Sequence, residues 1–392
     1  MSKKGLVLEG GGAKGAFHCG AVMALYDNGY RFDGVAGTSI GAINAALIVQ
    51  DSGYASLLRL WENVHASMFT DFDDEQVENL LNKHLTKDTV AYWSKQVLRI
   101  IKNLGIPTEK IIPFLQQNIS EKRVRSSSID LAVVTYSLSD RKPIEIFKDD
   151  IPLGEMLNYL LASAYYPAFR LKKINGKLYI DGGVYDNMPV ALMAQKGFDD
   201  IIAVRTMSRM PHKNSVSKDV AVHYICPSED LGGTASISHE DINRKIKLGY
   251  YDALRFIKGY SGKYYYIDGD IAGVINKAVT ILHTFAMRIC KEVTIKTKDK
   301  SKTSYQDKVF GFLQNCYKTD IESSIWSFIE EYAQRSGLEK FYIYDKQRFM
   351  DSLKEKGSIY AKKLKDQKYK GKGSRVATIK DTIFLYYIRE VV

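Results

Sequence analysis

The sequence predicts an α/β protein with a mostly parallel central sheet, followed by a helical C-terminal region. Three observations carry this. Residues 5–28 and 34–50 each read as a short apolar strand, a glycine-rich turn and a helix, the unit from which parallel sheets are built. Short apolar strands recur between helical segments as far as Cys226. Beyond about Gly269 the strands cease and apolar residues recur at three-to-four spacing. A division is therefore expected between an α/β part, residues 1–268, and a mainly helical part, residues 269–392. A chain of 392 residues can bury a full core in one large or two domains.

The first strand, Gly5 to Glu9, enters Gly10-Gly11-Gly12-Ala13-Lys14-Gly15, and a helix from Ala16 to Asn28 follows, stopped by Gly29. Strand, glycine loop and helix also describe a dinucleotide or phosphate cradle. That reading lacks its acidic residue at the end of the second strand, where Ala36-Gly37-Thr38 stands instead. Lys14-Gly15 is also not the Gly-Lys-Ser/Thr order of a P-loop.

The second unit is the one around which the chain is organised. Val35-Ala36 ends a buried strand, Gly37-Thr38-Ser39-Ile40-Gly41 is a G-x-S-x-G, and Ala42 to Gln50 is an unbroken apolar helix. This is the context of a nucleophile elbow, with Ser39 at the tip and Gly37 and Gly41 relieving the crowding beneath it. The plainer alternative is a helix-capping turn. If the two strands are parallel neighbours, both glycine turns lie at one sheet edge. Amides of Gly10, Gly11 and Gly12 can then point at an oxygen near Ser39, as an oxyanion hole does.

Residues 51–125 are expected to be a helical insertion, with segments at Tyr54–Met68, Val77–Leu85, Ala91–Leu104 and Glu109–Ile119, broken at Leu104-Gly105-Ile106-Pro107. It serves either as a lid or as ordinary sheet-covering helices. Strands follow at Ile129–Tyr136 and Pro143–Phe147, then a helix at Leu153–Ala164 that Tyr165-Tyr166-Pro167 ends. A strand at Lys177–Ile180 delivers Asp181-Gly182-Gly183. Asp181 stands where a strand ends, with two glycines leaving room around its carboxylate. An Asp-Gly turn is the structural alternative.

Further strands are expected at Ile201–Val204 and Val220–Cys226, and helices at Ile242–Ile257, Ile271–Cys290, Val309–Cys316 and Ile321–Arg335. A lysine-rich break covers 296–302. Lys354 to Arg375 is strongly basic and reads either as a polybasic surface for anionic lipid or as a solvated helix and loop.

The net charge of +11 suggests an anionic partner. No nucleic-acid-binding motif is present, so lipid headgroups are the expected class. Cys19, Cys226, Cys290 and Cys316 are scattered, with neither metal spacing nor a disulfide framework. No metal or cofactor is implied. No signal peptide and no membrane span are expected, which together with the cysteines points to a cytoplasmic protein with peripheral membrane contact at most.

Three motifs in this order resemble the patatin-like phospholipases: the glycine loop Gly10 to Gly15, the box Gly37 to Gly41, and Asp181-Gly182-Gly183. Ser163 to Phe169 and Asn187-Met188-Pro189 resemble stretches that flank the family's aspartate. The resemblance covers about residues 5–195. It implies a three-layer α/β/α fold and a serine–aspartate dyad that cleaves acyl esters of lipids without a cofactor. It carries Ser39 over as nucleophile, Asp181 as its partner, and Gly10, Gly11 and Gly12 as oxyanion hole. Lys14, Gly15, Gly37, Gly41, Gly182 and Gly183 carry over as supporting positions.

Two other readings remain open on the residues. A Ser-His-Asp esterase would need a histidine after the aspartate, from His212, His223, His239 or His283. A binding module that keeps an inactive hydrolase fold would need only the basic surface.

Overall fold

A computed structural model describes residues 2–68, 72–81, 84, 86–102, 110–165, 169, 173–213, 216–295, 304–368 and 375–391. The features expected at 104–107, 166–168, 296–302 and 369–374 lie outside the described residues. The chain packs as two compact units, Met1–Ile257 and Lys258–Val392. This division falls earlier than residue 268 because the segment after Lys258 already belongs to the second unit. There Tyr266–Asp268 pairs with Ile343–Asp345, and Tyr265 and Ile267 join that unit's core.

The first unit is built on an eight-stranded sheet. Its strands are β1 (Lys4–Leu8), β2 (Gly34–Thr38), β3 (Asp130–Ser137), β4 (Lys142–Phe147), β5 (Lys173–Ile174), β6 (Lys177–Asp181), β7 (Asp200–Val204) and β8 (Ala221–Ile225). Traced through hydrogen-bonded neighbours, the path is β5-β6-β3-β2-β1-β7-β8, with β4 also paired to β3. The run β3-β2-β1-β7-β8 is parallel throughout, whereas β4 and β6 are antiparallel to β3. The helices of this unit are α1 (Ala16–Asp27), α2 (Ile40–Asp51), α3 (Ala55–Asn63), α4 (Asp74–Leu81), α5 (Lys87–Lys102), α6 (Ile111–Asn118), α7 (Glu121–Ser126), α8 (Met156–Ser163), α9 (Val190–Gln195) and α10 (His239–Lys258). The helix expected from Tyr54 to Met68 stops at Asn63, because Val64 turns to an extended backbone.

Strand periodicity sorts the sheet into two faces. Val7, Ala36, Ala132, Val134, Ile201 and Ala203 share one face and pack with Met193 of α9 and Phe198. Leu6, Leu8, Val35, Leu131, Val133, Ile202 and Val204 point the other way and are buried as well. Gly37 shares that second face in register with Leu8, and a Cβ on it would run into Gly41 of α2. So α2 covers the second face and α9 the first, which makes three layers. Burial on both sides explains why the parallel strands read as continuous apolar runs instead of alternating ones.

The second unit holds α11 (Ala272–Glu292), α12 (Tyr305–Tyr317), α13 (Ile321–Arg335), α14 (Lys346–Lys368) and α15 (Arg375–Val391), with the small parallel pair β9 (Tyr266–Asp268) and β10 (Ile343–Asp345). Its core is aromatic: Tyr332 and Phe384 stack with centroids 4.2 Å apart, and Phe328, Phe349 and Tyr387 are buried around them. Sequence periodicity did not reveal β9, β10 or α15. As far as Lys368 the lysine-rich stretch from Lys354 lies in α14, which buries Leu353, Ala361 and Leu364 and exposes Lys362, Lys363 and Lys365. Among the described residues no helix is long and apolar enough to cross a membrane.

Candidate active site

Register alone brings the two chemical candidates together. Residues 132–134 of β3 pair with both β2 and β4, so these strands lie on opposite edges of β3. Residues 135–137 pair with both β4 and β6, so β6 lies on the edge that β2 uses. On that edge β2 ends with Thr38 opposite Val134, and β6, running the other way, ends with Asp181 opposite Thr135. The two strands therefore meet C-terminus to C-terminus, and Ser39 and Asp181 stand at the junction. Ser39 Oγ donates a hydrogen bond to Asp181 Oδ2 at 2.6 Å.

The turn at Ser39 is strained. Its φ of 58° and ψ of −128° place a side-chain-bearing residue where glycine is at home, at a cost on the order of 1–3 kcal/mol. Long-range contacts hold it there. The Ser39 amide donates to Ser163 Oγ at 2.9 Å, and that hydroxyl donates in turn to Val134 O at 2.6 Å. A Cβ on Gly41 would collide with the Leu8 carbonyl at the end of β1. Gly41→Ala is therefore expected to destabilise the first unit by more than about 2 kcal/mol, measured by chemical denaturation. A variant as stable as the parent would mean that the elbow can open without loss.

Asp181 is 5% exposed. Its Oδ1 accepts the Gly183 amide at 2.8 Å, leaving Oδ2 for Ser39. Burial pushes its carboxyl up to about 6, against the smaller opposing pull of the Ser39 and Gly183 hydrogen bonds. Gly182 is required by close approach, since a Cβ there would strike the Val134 carbonyl. Among the described residues, neither Ser39 nor Asp181 has a histidine partner. His223, on the edge strand β8, lies 3.8 Å from Asp200 of β7.

The glycine loop lies against the elbow. A Cβ on Gly15 would sit 2.8 Å from Ile40 Cγ1, and one on Gly10 would sit 3.2 Å from Thr38 O. One expectation is corrected here. The Gly10 amide donates to Asn187 O at 3.0 Å, so it is not available to an oxyanion. Ala13 likewise donates to Thr234 O at 2.8 Å. Between them, the amides of Gly11 and Gly12 have no partner among the described residues, and both glycines are partly exposed. Lys14 is half-buried on the short turn Gly12–Gly15, and its amide donates to Gly11 O at 3.2 Å.

Sequence reasoning missed what anchors this loop. Glu9 reads as a strand end, yet it is wholly buried and its Oε2 accepts the amides of Thr206 at 2.7 Å and Met207 at 3.1 Å. Thr206 Oγ1 donates to Gly10 O at 2.6 Å, and Asn187 Nδ2 approaches the same oxygen at 3.3 Å. On the buried side of the elbow helix, Asn44 links Gly15 O, His18 and the Trp61 indole. Burial pushes His18 down to about 3, so it is neutral and structural. An acid or amide next to a glycine motif is the only local signal for Glu9, Asn44 and Asn187, and Thr206 has none.

A parallel α/β sheet with a strained serine at a strand-to-helix turn, hydrogen-bonded to a buried aspartate, defines a class of proteins that carry a nucleophile elbow. Within it, residues 6–194 of this chain match the model of the patatin-like phospholipase family. Lysophospholipase NTE1 of Debaryomyces hansenii is 28% identical over 203 residues, 51% of this chain and 11% of that protein. The NTE1 protein of Meyerozyma guilliermondii is matched over 12% of its length, so the chain spans a small part of these relatives. The uncharacterised protein YqhO of Bacillus subtilis is 27% identical over 227 residues, 53% of this chain and 74% of that one. The solved structure of VipD from Legionella pneumophila aligns at 16% identity and a TM-score of 0.38, over 99% of this chain and 92% of that one.

Proposed function

We propose that this chain hydrolyses carboxylic esters of lipids, as a phospholipase A or lysophospholipase does, through Ser39 and Asp181. The observation that carries the reading is the 2.6 Å hydrogen bond from Ser39 Oγ to a buried carboxylate. Asp181 Oδ2 takes the Ser39 proton as Oγ forms its bond to the ester carbonyl carbon, and the carbonyl electrons move onto oxygen. The amides of Gly11 and Gly12 donate to that oxyanion. When the tetrahedral intermediate collapses, the ester C–O bond breaks and Asp181 returns its proton to the leaving alcohol. Water, deprotonated by Asp181, then releases the fatty acid and restores Ser39.

A carboxylate is a poor base at its ordinary pKa near 4. Burial supports the assignment by moving Asp181 towards neutrality. Lipid is favoured as the substrate class because residues 6–194 match the patatin-like phospholipase model and because two relatives are named lysophospholipases. The net charge of +11 and the exposed lysines of α14 favour peripheral contact with anionic lipid.

A fluorophosphonate probe on the full chain, followed by peptide mass spectrometry, is expected to label Ser39. Mixed phospholipid vesicles are expected to yield free fatty acid. Absence of both label and fatty acid would favour an inactive binding module. Loss of activity on substituting His212, His223, His239 or His283 would favour a Ser-His-Asp esterase.

A further inference from the structure

We infer that Thr206, which lies outside every motif read from the sequence, is the positioning residue that aims the Gly11 amide at the oxyanion. The inference rests on the ester-hydrolase reading and deepens it.

The Gly10–Gly11 peptide is flanked on both sides by residues without a Cβ. Such a peptide plane can turn over with little steric resistance. The two orientations are chemically opposite. In a trans peptide the C=O and the following N–H point in opposite directions. In one orientation the Gly11 amide faces the site as a donor. In the other the Gly10 carbonyl would face it and repel a developing negative charge.

The structure holds one orientation by capturing the carbonyl. Gly10 O accepts from Thr206 Oγ1 at 2.6 Å and from Asn187 Nδ2 at 3.3 Å. The Thr206 hydroxyl gives the shorter of the two contacts, and Thr206 itself is wholly buried. Its backbone is fixed independently, since its amide donates to the buried Glu9 carboxylate at 2.7 Å. The chain then turns sharply through Met207, whose φ of 53° is unusual for a side-chain-bearing residue. A Cβ on Gly11 would lie 2.7 Å from Thr206 Oγ1, so the fit around this peptide is close. Accepting two hydrogen bonds also polarises the shared peptide unit and makes the Gly11 N–H a stronger donor.

The test compares Thr206→Val, which keeps the shape and loses the hydroxyl, with Thr206→Ser, which keeps the hydroxyl. On a soluble ester, Thr206→Val is expected to lower kcat by about ten- to a hundredfold, somewhat less than the loss of a whole oxyanion donor. KM should stay within about twofold, because the ground-state ester makes little use of the donor. A trifluoromethyl ketone, which forms an oxyanion on Ser39, should bind more weakly by the same factor as kcat falls. Thr206→Ser should restore most of both losses. A purely structural role would instead lower thermal stability and leave the ketone-to-substrate ratio alone.

Parent-like kcat in Thr206→Val, or equal losses in Val and Ser, would overturn the inference. If Thr206→Val does not fold, Thr206→Ala takes its place in the same comparison with Ser. Failure of the underlying reading is separate: the parent chain itself would then neither hydrolyse the ester nor bind the ketone.

Discussion

Ser39→Ala and Asp181→Asn are each expected to abolish ester hydrolysis while leaving the fold intact. The two losses have different causes. Alanine removes the only oxygen at the elbow tip that can attack the carbonyl. Asparagine keeps the shape of Asp181 and can still accept a hydrogen bond, but it cannot hold the proton that Ser39 must lose. Groups that act as one unit fall together, so each variant should lose on the order of 10⁴-fold or more in kcat, with the double variant little worse. Neither change touches the contacts that hold the elbow, since Ser163 binds the amide of residue 39 and not its side chain. Circular dichroism and thermal unfolding establish that the variants are folded, and initial rates on a soluble ester give the loss. Either purified variant turning over at the parent's rate would end the dyad assignment.

The second expectation is a pH dependence set by the same carboxylate. With Asp181 raised to about 6 by burial, kcat/KM should fall about tenfold per pH unit below that value, because a protonated base cannot accept from Ser39. An ordinary carboxylate would keep the enzyme active down to about pH 4. Stability should run the opposite way. An acid whose folded pKa lies above its unfolded value contributes stability that is complete below the unfolded value and is lost as pH rises through the folded one. For Asp181 the window runs from 3.8 to about 6. At about 1.4 kcal/mol per pH unit the loss approaches about 3 kcal/mol.

Asp181→Asn, inactive but neutral, should therefore unfold at a higher temperature than the parent at pH 8 and at about the same temperature at pH 4. Asp186 is also buried and also raised to about 6. Asp186→Asn separates the two: the break in the rate profile should remain near 6 in that variant. A break that moves to about 4 would assign it to Asp186 instead.

Much of the site is legible in the sequence because its parts are local. A glycine two residues on either side of Ser39, an apolar strand before it and an unbroken apolar helix after it are short-range demands of one strained turn. Asp181 before two glycines is another such demand. What these segments do to one another is not local. Gly10 reads as an oxyanion donor like its neighbours, and only the position of Asn187 shows that its amide is taken. Thr206 carries no sequence signal at all, since its role depends on a carbonyl 196 residues away. The boundary near Gly269 follows a change in local periodicity, whereas the actual division follows the pairing of Tyr266–Asp268 with a strand near residue 344.

By itself the sequence determined the α/β class, the parallel strand–turn–helix units, and which serine and which aspartate stand at strand ends. Those features follow from backbone conformation and apolar spacing within a few residues. The tertiary structure alone decided that β2 and β6 end against each other on one edge of β3. It also decided that Asp181 is buried beside Ser39, and that the Gly10 amide is taken while those of Gly11 and Gly12 have no partner among the described residues. Each of these depends on register and burial between segments more than a hundred residues apart, where neighbouring residues along the chain leave no trace.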